Sequence, residues 1–131
     1  MKKLLVITML FTGMAVTSFA QQAKVIAFVN KATWCHVCQE NGPRFVKEVM
    51  PMAMKNKNVK IVMNDVSDEK TTAASLPMLK KVDIEKFAKK NTATGMLYFI
   101  DSTSKKMIAK VSLAESTEKI KEVYMAALAK G

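Results

Sequence analysis

Residues 23–38 read AKVIAFVNKATWCHVC and contain both cysteines of the chain. Its first part, residues 23–30, is apolar and partly β-branched, which is typical of a buried strand. Its last part, residues 34–38, contains two cysteines separated by two residues. A helical pattern follows at once, with apolar residues at positions i, i+4, i+7 and i+8: Phe45, Val49, Met52 and Ala53. The cysteine pair is therefore predicted to lie where a strand passes into a helix.

Three more strands are predicted downstream, at residues 58–65, 95–101 and 106–113. Residues 67–75 have the composition of a polar loop. Pro77 suits the first turn of a helix that ends near Asn91. The apolar residues that this helix is expected to bury are Met78, Leu79, Val82 and Phe87.

Proline and serine positions mark the other helices. Pro43 and Pro51 are expected to distort the first helix, because proline has no N–H for the helical hydrogen bond. Ser116 is expected to cap the last helix. The apolar stripe of that helix comprises Ile120, Val123, Tyr124, Ala127 and Leu128.

The predicted order is β-α-β-α-β-β-α, which belongs to the α/β class. Strands that alternate with helices are expected to pair in parallel through right-handed crossovers. The closing hairpin adds an antiparallel pair. The sequence therefore predicts a mixed four-stranded sheet with helices on both faces.

The first 20 residues have the pattern of a signal peptide. Lys2 and Lys3 precede a mostly apolar run at residues 4–16, and Ser18-Phe19-Ala20 places small residues at a cleavage site. We expect cleavage after Ala20, which leaves one domain at residues 21–131. That domain has 111 residues and a net charge of +8, and export places its cysteines where disulfides persist.

The basic surplus does not indicate nucleic-acid binding. The whole chain has 21 Lys+Arg against 11 Asp+Glu, but Arg44 is the only arginine. Bidentate contacts to bases and phosphates favour the planar guanidinium of arginine. We therefore expect a solvated lysine-rich surface and no nucleic-acid partner.

The two cysteines favour redox chemistry over a structural role. Two cysteines are too few for a disulfide scaffold, and with the single histidine they supply only three ligands, one short of a closed zinc site. A bridge between Cys35 and Cys38 closes a loop so short that it stabilises the fold by only about 2 kcal/mol. At a helix N-terminus the first thiol becomes more acidic, because the helix dipole favours an anion there. Cys35, expected at the exposed end of the pair, is therefore the predicted nucleophile, and Cys38, expected one turn inward, is the predicted resolving thiol.

His36 has two interpretations. Between the cysteines, a cationic imidazole would stabilise the Cys35 thiolate and shift the redox potential. Alternatively, His36 is a solvated loop residue. A structural disulfide and a metal site remain alternatives for the cysteine pair itself.

A strand that leads into W-C-x-x-C, with a proline five residues after the second cysteine, resembles the thioredoxin superfamily. The matching residues are Trp34, Cys35, Cys38 and Pro43. The resemblance covers about residues 22–130. It implies a thioredoxin-like fold and dithiol exchange with partner proteins.

Three positions depart from the family's pattern. Gly95, after Thr94, stands where the family usually has a cis-proline beside the active site. Val29 stands six residues before Cys35, where many thioredoxins have a buried acid. The dipeptide His36-Val37 matches neither the Gly-Pro of thioredoxins nor the Pro-His of periplasmic oxidases, so the resemblance does not set the redox direction.

The leading functional hypothesis is an exported, periplasmic thiol–disulfide oxidoreductase. It would act on disulfide-bearing or dithiol partner proteins, with reduction the favoured direction and a membrane redox donor as its electron source. We expect no cofactor and no resident metal ion. One alternative is a Cu(I)-handling module that uses the two thiols and the thioethers of Met50, Met52 and Met54. Another is a binding module that kept the fold and has weak redox turnover.

Overall fold

The computed structural model describes residues 22–131, and the predicted signal peptide at residues 1–20 lies outside the described residues. All four predicted strands are present, each within two residues of its expected bounds. They are β1 (Val25–Lys31), β2 (Val59–Asp65), β3 (Met96–Asp101) and β4 (Met107–Ser112). Apart from Lys31, every residue of β1 is buried, as its uninterrupted apolar run predicted.

The first helical segment runs from residue 36 to residue 55 in three parts. These are α1 (His36–Arg44), a π-helical segment (Phe45–Val49) and α2 (Met50–Lys55). Pro43 lies inside α1, whereas Pro51 occupies the first turn of α2, where its missing N–H is tolerated. The irregular turn therefore lies between the two prolines, and Pro51 does not end the helical segment.

The prediction for residues 67–91 was partly wrong. Residues 67–75 are not a polar loop, because α3 (Glu69–Lys81) begins there and Pro77 lies in its interior. Asp68 caps α3 by accepting a hydrogen bond from the Thr71 N–H. The sequence contains this N-cap residue, but the polar residues around it are equally typical of a loop. Helix α4 (Glu85–Lys90) is separate. The predicted end near Asn91 is confirmed, and the four residues expected to be buried do pack in one core: Leu79 is buried, and Met78, Val82 and Phe87 are partly buried.

The strand order in the sheet is β2-β1-β3-β4. Strands β1 and β2 are parallel, but β3 is antiparallel to β1, which corrects the expectation of a second parallel crossover. The physical reason is the break between α3 and α4. A single helix would carry the chain to the opposite end of the sheet, whereas two helices return it to the end at which β2 finished.

Helices cover both faces of the sheet, as predicted. On one face, α1, the π segment, α2 and α5 (Thr117–Lys130) enclose a core around Phe45, Phe99 and Tyr124. On the other face, α3 and α4 enclose a core around Phe28, Ile84 and Tyr98. The Ser116 side chain caps α5, as expected. Among residues 22–131, no helix is long and apolar enough to cross a membrane.

Candidate active site

The two cysteines lie at the junction of β1 and α1 and are disulfide-bonded, with their Cα atoms 5.2 Å apart. Cys35 is the N-cap residue of α1, and the backbone N–H of Cys38 donates a hydrogen bond to Cys35 Sγ over 3.2 Å. The first turn of α1 contains no acidic residue. After reduction, the same N–H group and the helix dipole would both stabilise a thiolate at Cys35.

The burial of the two cysteines contradicts the expectation that Cys35 lies at the exposed end of the pair. Cys35 is 6% exposed, whereas Cys38 is partly exposed. Cys38 lines a cavity of about 220 Å³ whose wall also includes Val29, Phe45 and Met63. Val29 therefore lies near Cys38, but its side chain offers no group that accepts a proton from the Cys38 thiol. The roles of nucleophile and resolving thiol stay a prediction.

Gly95 lies directly against the disulfide. A Cβ atom at this position would be 2.8 Å from Val37 Cγ1 and 3.4 Å from Cys35 Sγ, and the backbone of Gly95 has φ +69°. Only glycine adopts this conformation readily and permits so close an approach. Gly95 is buried, and the peptide bonds of residues 22–131 are all trans.

Two backbone hydrogen bonds fix Gly95. Its N–H donates to the carbonyl of Asn30 over 2.8 Å, and its carbonyl accepts from the N–H of Leu113 over 2.9 Å. The preceding residue, Thr94, is partly exposed beside this fixed point. The segment that carries Thr94 and Gly95 is therefore held between β1 and the end of β4.

A buried amide network supports that segment, and the sequence analysis did not find it. Asn30 Nδ2 donates to the carbonyl of Asn91 over 2.6 Å, and Asn64 Nδ2 donates to Asn30 Oδ1 over 2.8 Å. Asn30 and Asn64 are 1% and 6% exposed and face each other in the β1–β2 register. A signal was present in the sequence, because each of the two apolar runs that form β1 and β2 is followed directly by an asparagine, Asn30 and Asn64.

A second network holds the loop that contains Trp34. The Trp34 side chain is 63% exposed, and its Nε1–H donates to the carbonyl of Ser67. The Ser67 N–H and hydroxyl donate to the Asp65 carboxylate, which also pairs with Lys31 Nζ over 2.6 Å. The hydrogen bond from Lys31 and those from Ser67 lower the pKa of Asp65 from 3.8 to about 2.

Arg44 joins α1 to the turn that follows β4. Its guanidinium donates to Thr117 Oγ1 over 2.8 Å and to the carbonyls of Leu113 and Glu115, each over 2.7 Å. Leu113 is the residue that donates to the Gly95 carbonyl. The only arginine in the chain therefore has structural partners, and it connects α1, which carries Cys38, with Leu113, which is hydrogen-bonded to Gly95.

The remaining predicted site residues take different positions. The exposed ring of His36 lies 3.0 Å from Glu40 Oε1, one helical turn away. Val37 is half-buried against the core and packs beside Gly95. Pro43 is exposed within α1, seven residues after His36. Of these residues, Gly95 lies against the disulfide, and Val37 packs beside Gly95.

The methionines of the copper hypothesis do not converge. Met50 and Met52 pack partly against the core, whereas Met54 is 71% exposed. Met50 and Met54 therefore differ in environment, although they lie four residues apart in one helical segment. Within residues 22–131, no group of three or more His, Cys, Asp or Glu side chains is placed to hold a metal ion.

Comparison with known proteins identifies the fold. No protein-family model matches the chain. No curated protein matches it either. Among solved structures, a thioredoxin from Wuchereria bancrofti superposes with a TM-score of 0.50 at 19% identity, over 82% of this chain and 84% of that one.

Two other solved structures superpose as well. A Bacteroides thetaiotaomicron protein provisionally assigned as a protein disulfide isomerase gives a TM-score of 0.52 at 19% identity, over 79% of this chain and 72% of that one. StoA from Bacillus subtilis gives 0.51 at 15% identity, over 79% and 84%. At these identities the similarity establishes the thioredoxin fold, and the chemistry has to be argued from the site.

Proposed function

We propose that this chain, which has the thioredoxin fold, is a thiol–disulfide oxidoreductase that exchanges disulfides with partner proteins. The observation that carries the proposal is the Cys35–Cys38 disulfide at the start of α1, with a backbone N–H directed at Cys35 Sγ. Gly95 is buried against this sulfur, and the partly exposed Thr94 beside it and the exposed Trp34 on the neighbouring loop supply a surface for a partner polypeptide.

The reaction needs only the two cysteines and a partner disulfide. The Cys35 thiolate attacks one partner sulfur, so that the partner S–S bond breaks, a mixed disulfide forms, and the departing sulfur takes a proton from solvent. Cys38 then loses its proton to solvent and attacks Cys35 Sγ. This breaks the mixed disulfide, forms the internal bond and releases the second partner sulfur as a thiol. The partner gains two electrons from the chain and two protons from solvent; solvent receives one of these protons from Cys38 and received the other from Cys35 when its thiol ionised.

Reduction of the partner is the direction that we propose. A strongly oxidising dithiol protein owes its potential to a stabilised reduced form, in which the thiolate has additional favourable contacts. Here the charged form of His36 would lie 3.0 Å from Glu40, which offsets its effect on the sulfur. A reductase in an exported location needs a dithiol or membrane redox donor to restore its thiols.

Insulin reduction by dithiothreitol tests the activity. We expect the chain to accelerate the reaction, and Cys35→Ser and Cys38→Ser each to abolish the acceleration. Cys38→Ser should also accumulate a mixed disulfide with a labelled peptide disulfide, because the resolving thiol is absent, whereas Cys35→Ser should not. Met54→Ser, at a residue 71% exposed, serves as the control and should retain full activity.

The potential of the Cys35/Cys38 couple separates the directions. In glutathione buffers we expect a value below roughly −200 mV, whereas a strong oxidant has a value near about −120 mV. A normal, reducible disulfide combined with no insulin reduction would contradict the oxidoreductase proposal and favour a binding module.

We also propose export to the periplasm, supported by the signal-peptide pattern at residues 1–20. Expression of the full chain in a Gram-negative bacterium, with fractionation and intact-mass measurement, tests it. The expected product is periplasmic and begins at Gln21. A cytoplasmic product that retains Met1 or Lys2 would contradict export without affecting the redox proposal.

A further inference from the structure

The end of the sheet opposite the disulfide gathers lysines that are distant in sequence. Two concavities, of about 360 and 430 Å³, lie side by side there and share Asp83 and Lys105. The lysines that line them come from β2, α3, α4 and the turn before β4: Lys60, Lys81, Lys86, Lys90, Lys105 and Lys106. We call these six residues the lysine patch.

The lysine patch accounts for about half of the domain's net charge. Residues 22–131 carry 19 of the 21 basic residues and all 11 acidic ones, a net charge of +8. Six lysines against Asp83 leave a net charge of +5 in the two concavities. Asp101, the last residue of β3, reduces that to +4, and its carboxylate already accepts hydrogen bonds from the N–H groups of Thr103 and Ser104.

The charges of the lysine patch are not neutralised by the surrounding protein. Among the residues that the structure describes, the ion pairs involve Lys31, His36, Lys89 and Lys119, and none of the patch lysines. Of the six ammonium groups, only that of Lys105 donates a described hydrogen bond, to the carbonyl of Val82. An extended anionic surface would therefore find these ammonium groups free to bind.

Apolar side chains lie among the lysines. Phe87 and Met107 line the second concavity, and Met107 is 45% exposed. Lysines that surround an exposed apolar side chain suit the membrane interface, where ammonium groups meet phosphates and the apolar group enters the headgroup region. The patch contains no arginine, the side chain that nucleic-acid recognition favours.

We propose that the lysine patch binds the surface of an anionic phospholipid membrane. Strand β1 has seven residues, so the patch and the disulfide are separated by roughly 23 Å along the sheet. A domain bound through the patch would direct Trp34 and Cys35 away from the lipid. Membrane attachment therefore leaves the disulfide accessible to partner proteins.

Vesicle cosedimentation tests the proposal, with protein purified from an expressing bacterium and its N-terminus determined by mass spectrometry. We expect binding to phosphatidylcholine vesicles that contain about one third phosphatidylglycerol, and much weaker binding to pure phosphatidylcholine. The difference should shrink as salt rises toward roughly 0.15 M, because screening weakens exposed charge contacts.

Two matched triple variants separate the patch from net charge. Lys81→Gln/Lys86→Gln/Lys106→Gln removes three patch charges, and Lys47→Gln/Lys70→Gln/Lys119→Gln removes three exposed charges elsewhere. At roughly fivefold for each lysine, the patch variant should bind anionic vesicles on the order of a hundredfold more weakly. The control should lose much less. Equal losses in the two variants would overturn the proposal.

Single methionine variants test the apolar contribution. Met107→Gln should weaken binding severalfold, whereas Met125→Gln, at a residue 60% exposed on α5, should not. Equal loss in both methionine variants would overturn the assigned surface. Far-ultraviolet circular dichroism and insulin reduction should be unchanged in the lysine variants, which shows that they fold and separates this test from that of the oxidoreductase.

Competing anions provide the last arm. Inorganic phosphate at millimolar concentration should displace little protein from anionic vesicles, because it offers no extended surface. If the wild-type protein binds duplex DNA more tightly than anionic vesicles at the same salt, and the patch variant loses that binding, the partner is a nucleic acid and the lipid proposal is wrong.

Discussion

The two ends of β1 show two ways to build a functional surface. At the C-terminal end, the Cys35–Cys38 disulfide lies among groups whose backbones are fixed, because Gly95 is hydrogen-bonded to both Asn30 and Leu113. At the other end, lysines surround two concavities, and among the described residues only the ammonium group of Lys105 donates a hydrogen bond. Disulfide exchange at Cys35 requires that the groups around its sulfur stay in place. Binding of the lysine patch to an anionic surface requires only that several positive charges lie close together.

The difference predicts how each end responds to substitution. Changes at the disulfide end should affect stability and reaction rate together, since the same contacts support both. Changes at the lysine end should affect binding and leave the free energy of unfolding within about 0.5 kcal/mol, as is usual for exposed sites.

The largest effect on stability is expected at Gly95. Gly95→Pro imposes φ near about −65°, far from the observed +69°, and removes the N–H that donates to Asn30. We expect the free energy of unfolding to fall by about 3 kcal/mol or more, and Gly95→Ala to lower it by about 2 kcal/mol. Urea unfolding measures the loss of stability, and the rate of Cys35 alkylation in the reduced protein measures the change in reactivity of the thiol.

Gly42 is the matched control, because a Cβ atom there would meet nothing within 4 Å. Gly42→Ala in α1 should raise stability by up to about 1 kcal/mol, since alanine is the better helix former. If Gly95→Pro were as stable as the wild type, the conformation assigned to Gly95 would be wrong.

A smaller effect is expected at Asn30. Asn30→Ala leaves the Asn64 amide and the Asn91 carbonyl without their partner in a buried site, so we expect a loss of about 2 kcal/mol. Asn64→Ala should cost less, because Asn30 then keeps its bond to Asn91. Chemical denaturation of both single variants and the double variant gives the coupling between them, and fully additive losses would contradict the network.

The smallest effect concerns Asp65, whose pKa in the folded state is about 2 against an ordinary 3.8. A lowered pKa stabilises the fold above about pH 4, and that contribution is lost as the pH falls toward about 2. Because the pair with Lys31 is partly exposed, we expect Lys31→Met to cost about 1 kcal/mol at pH 7 and almost nothing near pH 2.

Urea titrations of wild type and Lys31→Met across this range measure the difference. Lys119→Met is the control, since the Lys119–Glu122 pair lies on the exposed surface of α5, and its cost at pH 7 should be smaller. A Lys31→Met cost that does not depend on pH would show that lost packing, rather than the ion pair, explains it.

Local patterns predicted most of the fold and part of the site. The four strands follow from runs of apolar residues, and α5 follows from its stripe and the Ser116 cap, because these signals lie within one element. The first part of α3, before Pro77, was missed, since Asp68, Thr71 and Ser75 have a composition that suits a loop or a helix start equally well. The Asn30–Asn64 pair was missed because its meaning depends on the β1–β2 register.

Residues that are close along the chain specify the strand that leads into the cysteines, the helix that follows them and the four-stranded α/β architecture. Three other features depend on contacts between distant residues: β3 is antiparallel to β1, Gly95 packs against Cys35, and six lysines from four parts of the chain meet at one end of the sheet. The direction of β3 follows from the break between α3 and α4, because that break returns the chain to the disulfide end of the sheet. No local pattern specifies where a chain returns or which distant residues it meets there.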